Sequence, residues 1–335
     1  MFIGQFRPDP DAHPRWPGNL KQYKLGLVDN KLKVLDADSD PIVDSGTGFI
    51  EKCTNSFWST TDTYWSGKLL LDLDAAQICK EGGSDSSQSN APDGPLVEKG
   101  GQAQQLRASS PGSRTVFTCD PDMATCSATA TLPSFAIGNS AITNTLLKVD
   151  ATDRDDTINW ARGADLDDED GNGDATDMRS TGHGDVVHSR PVALNYNTDA
   201  APKVVVFYSG NDGMLRAING NRPDIAGRVD PTGIDPGEEI WAFMPPECYG
   251  AVDSLRSNDE TINFPSSSAD APNAGISKPY GIDGPLTAFE GDVPGVGTDK
   301  KYLYAGLRRA GRAIYAFDVT SLTAPKMLWK KGCPD

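Results

Sequence analysis

The densest run of groups able to do chemistry is "DLDDEDGNGDATD", residues 165–177. Asp168, Asp170 and Asn172, followed by Gly173, match the D-x-[DN]-x-[DN]-G opening of a calcium-binding loop. Oxygens two residues apart converge when glycine lets the chain bend sharply, and hard oxygen donors suit calcium. Asp174 or Asp177 would complete the cage. The twelfth position is Arg179, where an EF-hand needs a bidentate Glu, so the loop is of another kind. Without a counter-ion these carboxylates repel one another. The competing reading is a solvated acidic linker.

Other reactive groups are sparse. His183 and His188 flank "GDVV" without a partner at ligand spacing. Residues five apart in a strand lie on opposite faces, which favours structural roles. Ser189 follows His188, but adjacency is not triad geometry. The sequence has no GxSxG, no P-loop and no GxGxxG opening a helix, so the expectation is a protein without catalysis. Arg308, Arg309 and Arg312, in "GLRRAGR", fall in a hairpin turn and are expected to pair with the chain's own carboxylates, an acidic partner being the alternative. Cysteines stand at Cys53, Cys79, Cys119, Cys126, Cys248 and Cys333, with no zinc spacing. Cys119 and Cys126, in "CDPDMATC", are placed to close a short disulfide loop. An even count in a loop-rich chain favours an oxidising compartment.

Composition limits what can position these groups. The 335 residues include 34 Gly and 24 Pro, a mark of many turns and short strands. Formal net charge is −16, which repels phosphate backbones and argues against nucleic acid as a partner. No apolar run approaches the ~18 residues of a membrane span. The N-terminus lacks a basic region leading into an apolar core, so export would need a signal already removed or carried by a longer parent.

Residues 16–37 read as two short extended runs joined by "GLVDN", and the spacing predicts a helix over about 68–80. From Glu81 to Pro111 the composition falls to Gly, Ser, Gln, Asp and Pro, which predicts a mobile insertion. "SRTVFTC" reads as a strand, and 141–161 as one or two short helices ending near Trp160. Residues 1–178 thus form an irregular N-terminal part. From 179 to 335 the chain is plainly β, with "DVVHSRPVAL", "KVVVFYSG", "MLRAING", "EEIWAFMP", "KYLYAGL", "AIYAFDV" and "MLWKKG" as strands, loop-like between 246 and 281.

Two of these segments are copies of one unit, 203–244 and 301–331. Each reads strand, Gly-containing turn, strand, linker, and a strand carrying Trp; Gly210 aligns with Gly306, Leu215 with Ile314 and Trp241 with Trp329. Asn211, Asp212 and Gly213 supply the positive φ of a tight turn. A sheet apolar on both faces must be stacked between neighbours, so the expected fold is mainly β, a modified and irregular β-propeller, incomplete as two clear blades. Residues 19–37 would be a third, degenerate copy, and a β-sandwich with two similar hairpins is the alternative.

Taken together, "FRPDPDAHPRWPGNLKQYKL", "INWARGADLDDEDGNGD", "HGDVVHSRPVAL", "VVVFYSGNDGMLRAING", "GEEIWAFMPPE" and "YAGLRRAGRAIYAFDVT" resemble the C-terminal region of type IV pilus tip-associated adhesins of the PilY/PilC kind. The resemblance covers nearly the whole chain. It implies a secreted protein at the pilus tip, reached through the periplasm, which promotes pilus assembly, opposes retraction and adheres to surfaces. It implies minor or major pilins and a host or abiotic surface ligand as partners, and a modified propeller with a calcium loop. The von Willebrand A-like module with its DxSxS motif, and the calcium loop between late blades, have no counterpart in these residues. Calcium therefore rests on 165–177 alone. "GNDGMLRAINGN" with "GEEIWAF" also resembles the blade motif of quinone-dependent dehydrogenases, an alternative that implies pyrroloquinoline quinone, many regular blades and a vicinal cysteine pair. A further alternative is one half of a split tip protein, completed by a second chain.

Overall fold

A computed structural model of the chain describes residues 1–66, 68, 78–80, 87–119, 131–198, 200–225, 233–263 and 275–332. It is mainly β, with 29% strand against 11% helix, in several sheets of which none closes into a barrel. The N-terminal arm holds an antiparallel pair, β1 (Phe2–Phe6) and β2 (Gly18–Gln22), and a ribbon, β3 (Lys24–Val28) and β4 (Lys31–Leu35). The ribbon turns at Asp29 and Asn30, with φ of 51° and 57°, as a two-residue hairpin requires. These are two separate two-stranded sheets. Among the described residues the third copy of the repeat expected at 19–37 does not form a blade, because β2 pairs backward to β1 while β3 and β4 make a separate two-stranded ribbon.

The helix predicted over 68–80 falls mostly outside the described residues, as do 81–86. The rest of the supposed mobile insertion, 87–111, is packed and largely buried, with the helix α1 (Gly101–Arg107) inside it. Polar side chains, rather than apolar ones, hold it. Lys21, fully buried on β2, donates to the carbonyls of Gly94 and Leu96 at 3.1 and 2.8 Å and pairs with Asp93 at 2.8 Å. Beside it, the Asn19 amide donates to the carbonyls of Val97, Lys99 and Gly100. Composition poor in apolar residues became core here because the buried backbone is satisfied group by group.

Beyond this lie β5 (Val116–Phe117), α2 (Asn144–Leu147) and α3 (Arg154–Ala161), the two short helices predicted for 141–161. Then come two meanders. The first is β6 (Val192–Asn195), β7 (Val204–Ser209), β8 (Leu215–Asn219) and β9 (Glu239–Phe243). The second is β10 (Thr287–Val293), β11 (Gly297–Gly306), β12 (Ala313–Asp318) and β13 (Lys326–Gly332). A 3-10 turn at Pro246–Ala251 and the helix α4 (Val252–Ser257) occupy the connection. In both meanders neighbours in sequence are neighbours in the sheet, and β5 adds a parallel fifth strand beside β9. "DVVHSRP" is not strand; only its continuation, β6, is.

The two meanders share one register. Ala217 pairs with Trp241 and Ala316 with Trp329, and the next step in each is a bulge, at Ala217/Ile218 and at Ala316/Phe317. The alignment of Gly210 with Gly306 is off by one. Ser209 pairs with Leu215 as Gly306 pairs with Ile314, and the Gly210 N–H donates to Met214 as the Leu307 N–H donates to Ala313. The longer second turn hides this in the sequence. The positive φ expected of the 211–213 turn is taken by Gly213, at 91°.

Packing follows from the alternation of each strand. Phe207, Leu215, Trp241 and Phe243 of the first sheet form one core with Leu303, Ala305, Tyr315 and Phe317 of the second. On the first sheet's other face, Val206, Tyr208 and Ile218 meet Leu20, Phe57 and Trp58 of the N-terminal part. Met214, Ala242 and Met244 carry the helices through Leu147, Ile158 and Trp160. The first sheet is thus covered on both faces. Trp241 is 1% exposed and Trp329, its equivalent, 38%. Trp241→Ala should cost about 3–5 kcal/mol in urea unfolding and Trp329→Ala no more than about 1 kcal/mol; equal losses would contradict the stacking order.

Candidate functional site

The acidic stretch forms a clasped turn. Ala164 bridges Met178, and the Asp165 N–H donates to the Asp177 carbonyl at 3.1 Å, so both ends meet. Inside, side chains fold back onto the backbone two residues on, the habit of Asp and Asn in turns. Asp170 Oδ1 accepts the Asn172 N–H at 3.1 Å, Asn172 Oδ1 that of Asp174 at 2.6 Å, and Asp174 Oδ1 that of Thr176 at 2.9 Å. Asp168 accepts the Gly173 N–H at 2.9 Å. Gly171 and Gly173, at φ of 73° and 82°, let the chain reverse twice.

This folding brings together some of the residues marked in the sequence and not others. Carboxylate oxygens of Asp168 and Asp170 lie with one of Asp165 within 4.8 Å of one another. An ion bound at about 2.3–2.6 Å separates opposite ligands by roughly 5 Å, so the span suits calcium-sized hard cations. Asp177 joins through Asn172, whose amide donates to Asp170 at 3.1 Å and to Asp177 at 2.8 Å. The other Asp177 oxygen, Oδ1, is buried without a hydrogen-bond partner among the described residues. Asp174 turns away to Thr176, whose hydrogen bonds hold its carboxyl below the usual range. Asp165 was not marked; it stands three residues before Asp168, outside the loop pattern, and is buried. Burial raises the carboxyls of Asp165 and Asp177. A second group, Asp9, Asp11 and His13, also converges, and its spacing of two in "DPDAH" was the available signal.

The structure sets basic side chains beside three of these carboxylates. Lys68 pairs with Asp170, Arg15 with Glu169, and Arg256 with Asp167 at 2.9 and 3.1 Å. The turn is therefore an ordered element in which three of seven carboxylates have a basic partner, neither a bare cage nor a solvated linker.

Behind it lies a knot of buried charge. Asp185 pairs with Lys278 at 2.9 Å and accepts from the Asn211 amide, while the Lys278 ammonium also donates to the Pro14 carbonyl and stands 3.8 Å over Trp16. Asp212 pairs with Arg216, which reaches Glu239 at 3.4 Å, and Glu239 takes Arg114 in a two-pronged bond of 2.9 and 2.9 Å. Gly184 packs so closely on the Asp212 turn that a Cβ would sit 2.6 Å from its backbone nitrogen. The Asp212 carboxyl is held far below its ordinary range by the Arg216 guanidinium, against the opposing effect of burial.

The two histidines take structural places. His183 Nδ1 lies 2.8 Å from the Gly184 carbonyl and so carries the proton, leaving Nε2 to face the Tyr208 hydroxyl at 2.8 Å. His188 Nδ1 faces Asp283 at 2.6 Å, with Arg308 and Arg309 3.8 and 3.9 Å from the same carboxylate. Those arginines thus meet one of the chain's own carboxylates. Ser189 Oγ accepts the Ser209 N–H at 2.9 Å. Cys53 and Cys79 form a disulfide, Cys119 is disulfide-bonded, and Cys126 and Cys333 lie outside the described residues. Cys248 is a buried free thiol, raised by burial.

Burial, reinforced by the nearby Arg216 charge, lowers His183 to about 3. The unfolded chain then binds a proton that the folded chain refuses, so stability falls as pH drops from roughly 6.5 towards 3. In denaturant titrations across that window, His183→Gln should flatten the slope by one proton, about 1.4 kcal/mol per pH unit. An unchanged slope would assign the acid sensitivity elsewhere.

Compared with protein-family models, curated proteins and solved structures, the chain matches none.

Proposed function

We propose that this chain is a non-enzymatic component of a type IV pilus tip, acting outside the cell in pilus assembly, in opposing retraction and in adhesion. The observation that carries the reading is the stack of two four-stranded meanders with one register and one bulge position, in the segments on which the resemblance rests. That is the construction of propeller blades, and we read the fold as a modified, irregular β-propeller. The quoted segments also converge: "HGDVVHS" meets "GNDGMLR" through Gly184 and Asp212 and through Asp185 and Asn211. Their polar residues thereby serve as framework, which suits a rigid platform. The Cys53–Cys79 disulfide favours an oxidising compartment. Among the described residues no helix is long and apolar enough to cross a membrane. Pilins and a surface ligand are the partners of this reading, met by exposed loops on the stacked sheets.

Calcium belongs to the same proposal. Asp165, Asp168 and Asp170 would hold the ion with Asp177, and the ion would supply charge neutralisation and a fixed turn. Lys68 stands on Asp170 and competes with it. In calorimetry, Asp170→Asn should abolish calcium binding, while Lys68→Met should tighten it by roughly fivefold. Absence of binding in the unmodified protein and in Lys68→Met alike would remove calcium from the proposal.

The functional reading is tested in the source cells. Deleting the gene should remove surface pili and surface attachment, both restored by the intact gene. Unchanged piliation and attachment would overturn it.

A further inference from the structure

At the base of the acidic turn two buried donors lack an acceptor. Arg179 and Trp160 are each 3% exposed, and among the described residues neither the Arg179 Nε–H nor the Trp160 indole N–H has a hydrogen-bond partner. Both side chains line one cavity of about 20 Å³, with Arg15, Asp185 and Asp212 among its other walls. The donors are held in place. The Arg179 backbone N–H donates to the Gly163 carbonyl at 2.9 Å, its guanidinium donates to the Trp160 carbonyl, and that guanidinium lies 3.7 Å over the indole ring. Unmet buried donors are costly, and a polar cavity of this size takes up a ligand that meets them.

The charge of the lining says which ligand. Arg15 pairs with Glu169, Asp185 with Lys278, and Asp212 with Arg216, which together with Glu239 and Arg114 makes a balanced set. Among the described residues Arg179 pairs with no carboxylate, so its charge, which an arginine keeps at neutral pH, is left over. Arg162 shows the contrast. It too has no carboxylate partner among the described residues, but it spends its N–H groups on the carbonyls of Phe135, Pro111, Gly112 and Arg114. Arg15 also stands 5.6 Å from the Trp160 ring, so two like charges flank one indole. A water would satisfy the donors and leave the charge uncompensated, whereas an anion answers both. The volume admits one particle near the size of a water, which rules out carboxylates, sulfate and phosphate. We propose that this cavity binds one small monovalent anion of halide size, with chloride as its occupant, held by the Arg179 guanidinium and the Trp160 indole. The inference stands on burial, unpaired donors and charge, independently of the functional reading.

The test has two arms. Crystals of the full chain soaked in sodium bromide and measured at the bromine absorption edge should show an anomalous peak between Arg179 Nε and Trp160 Nε1. In solution, the urea midpoint should rise with sodium chloride relative to sodium gluconate of equal ionic strength, whose anion is too large to enter. Trp160→Phe keeps a ring beneath the guanidinium and removes the indole donor, and should weaken the apparent chloride Kd from such titrations at least ~tenfold. A water in that place, without an anomalous peak, would overturn the proposal. So would equal midpoints in chloride and gluconate, which would mark any bromide there as an adventitious ion only, or a chloride dependence unchanged in Trp160→Phe.

Discussion

Much of this structure depends on two aspartates, the buried Asp185 and the partly buried Asp212. Asp185 is tied to Lys278, Asp212 to Arg216, and through Arg216 to Glu239 and Arg114. Placing so many ions in an interior is costly, and removing one partner of such a pair leaves the other uncompensated, at about 3–5 kcal/mol. What the arrangement provides is position. Pro14, the 184–185 segment, the 211–213 turn and Lys278 belong to four stretches far apart in sequence, and the bonds of Asp185 and Asp212 draw them to one point. The first meander is fixed there at one end, and everything stacked on it takes its orientation from that sheet.

From the fixed sheet outward the structure becomes repetitive. The second meander reuses the register and the bulge of the first, so the surface it offers outward is the surface the first offers inward, altered at the margin. The repeat buries one copy of this face and leaves the next partly exposed, Trp241 against Trp329 and Leu215 against Ile314.

The repeat was legible in the sequence because paired Trp residues and alternating apolar strands survive in both copies, and it placed six of the eight meander strands. β10 was missed since "TAFEGDV" interrupts its alternation with Glu, Gly and Asp, and β6 was drawn too long because "DVVHSRP" has strand composition but spends its polar groups on the knot. The Gly210–Gly306 alignment slipped by one because the turns differ in length, which composition alone does not reveal. Residues 87–111 were misread for a deeper reason. A segment rich in Gly, Ser, Asn and Asp offers little apolar area, yet Lys21 and Asn19, some 70 to 80 positions away, satisfy its carbonyls. No local window contains that pairing. In the acidic turn, Asp168 and Asp170 were recognisable from spacing. Asp165 was not, and Asp174 followed the spacing but faces Thr176.

The acidic turn also shows why charge counting along a sequence misleads. Its carboxylates crowd one another in the sequence, yet Lys68, Arg15 and Arg256 arrive from distant segments to pair with three of them. The base of the turn is set independently, by the Ala164–Met178 bridge and by Arg179, whose guanidinium lies 3.7 Å over the Trp160 ring. A cation entering among Asp165, Asp168 and Asp170 would therefore meet a turn already shaped. Its binding energy would go into displacing the Lys68 ammonium rather than into ordering a loop.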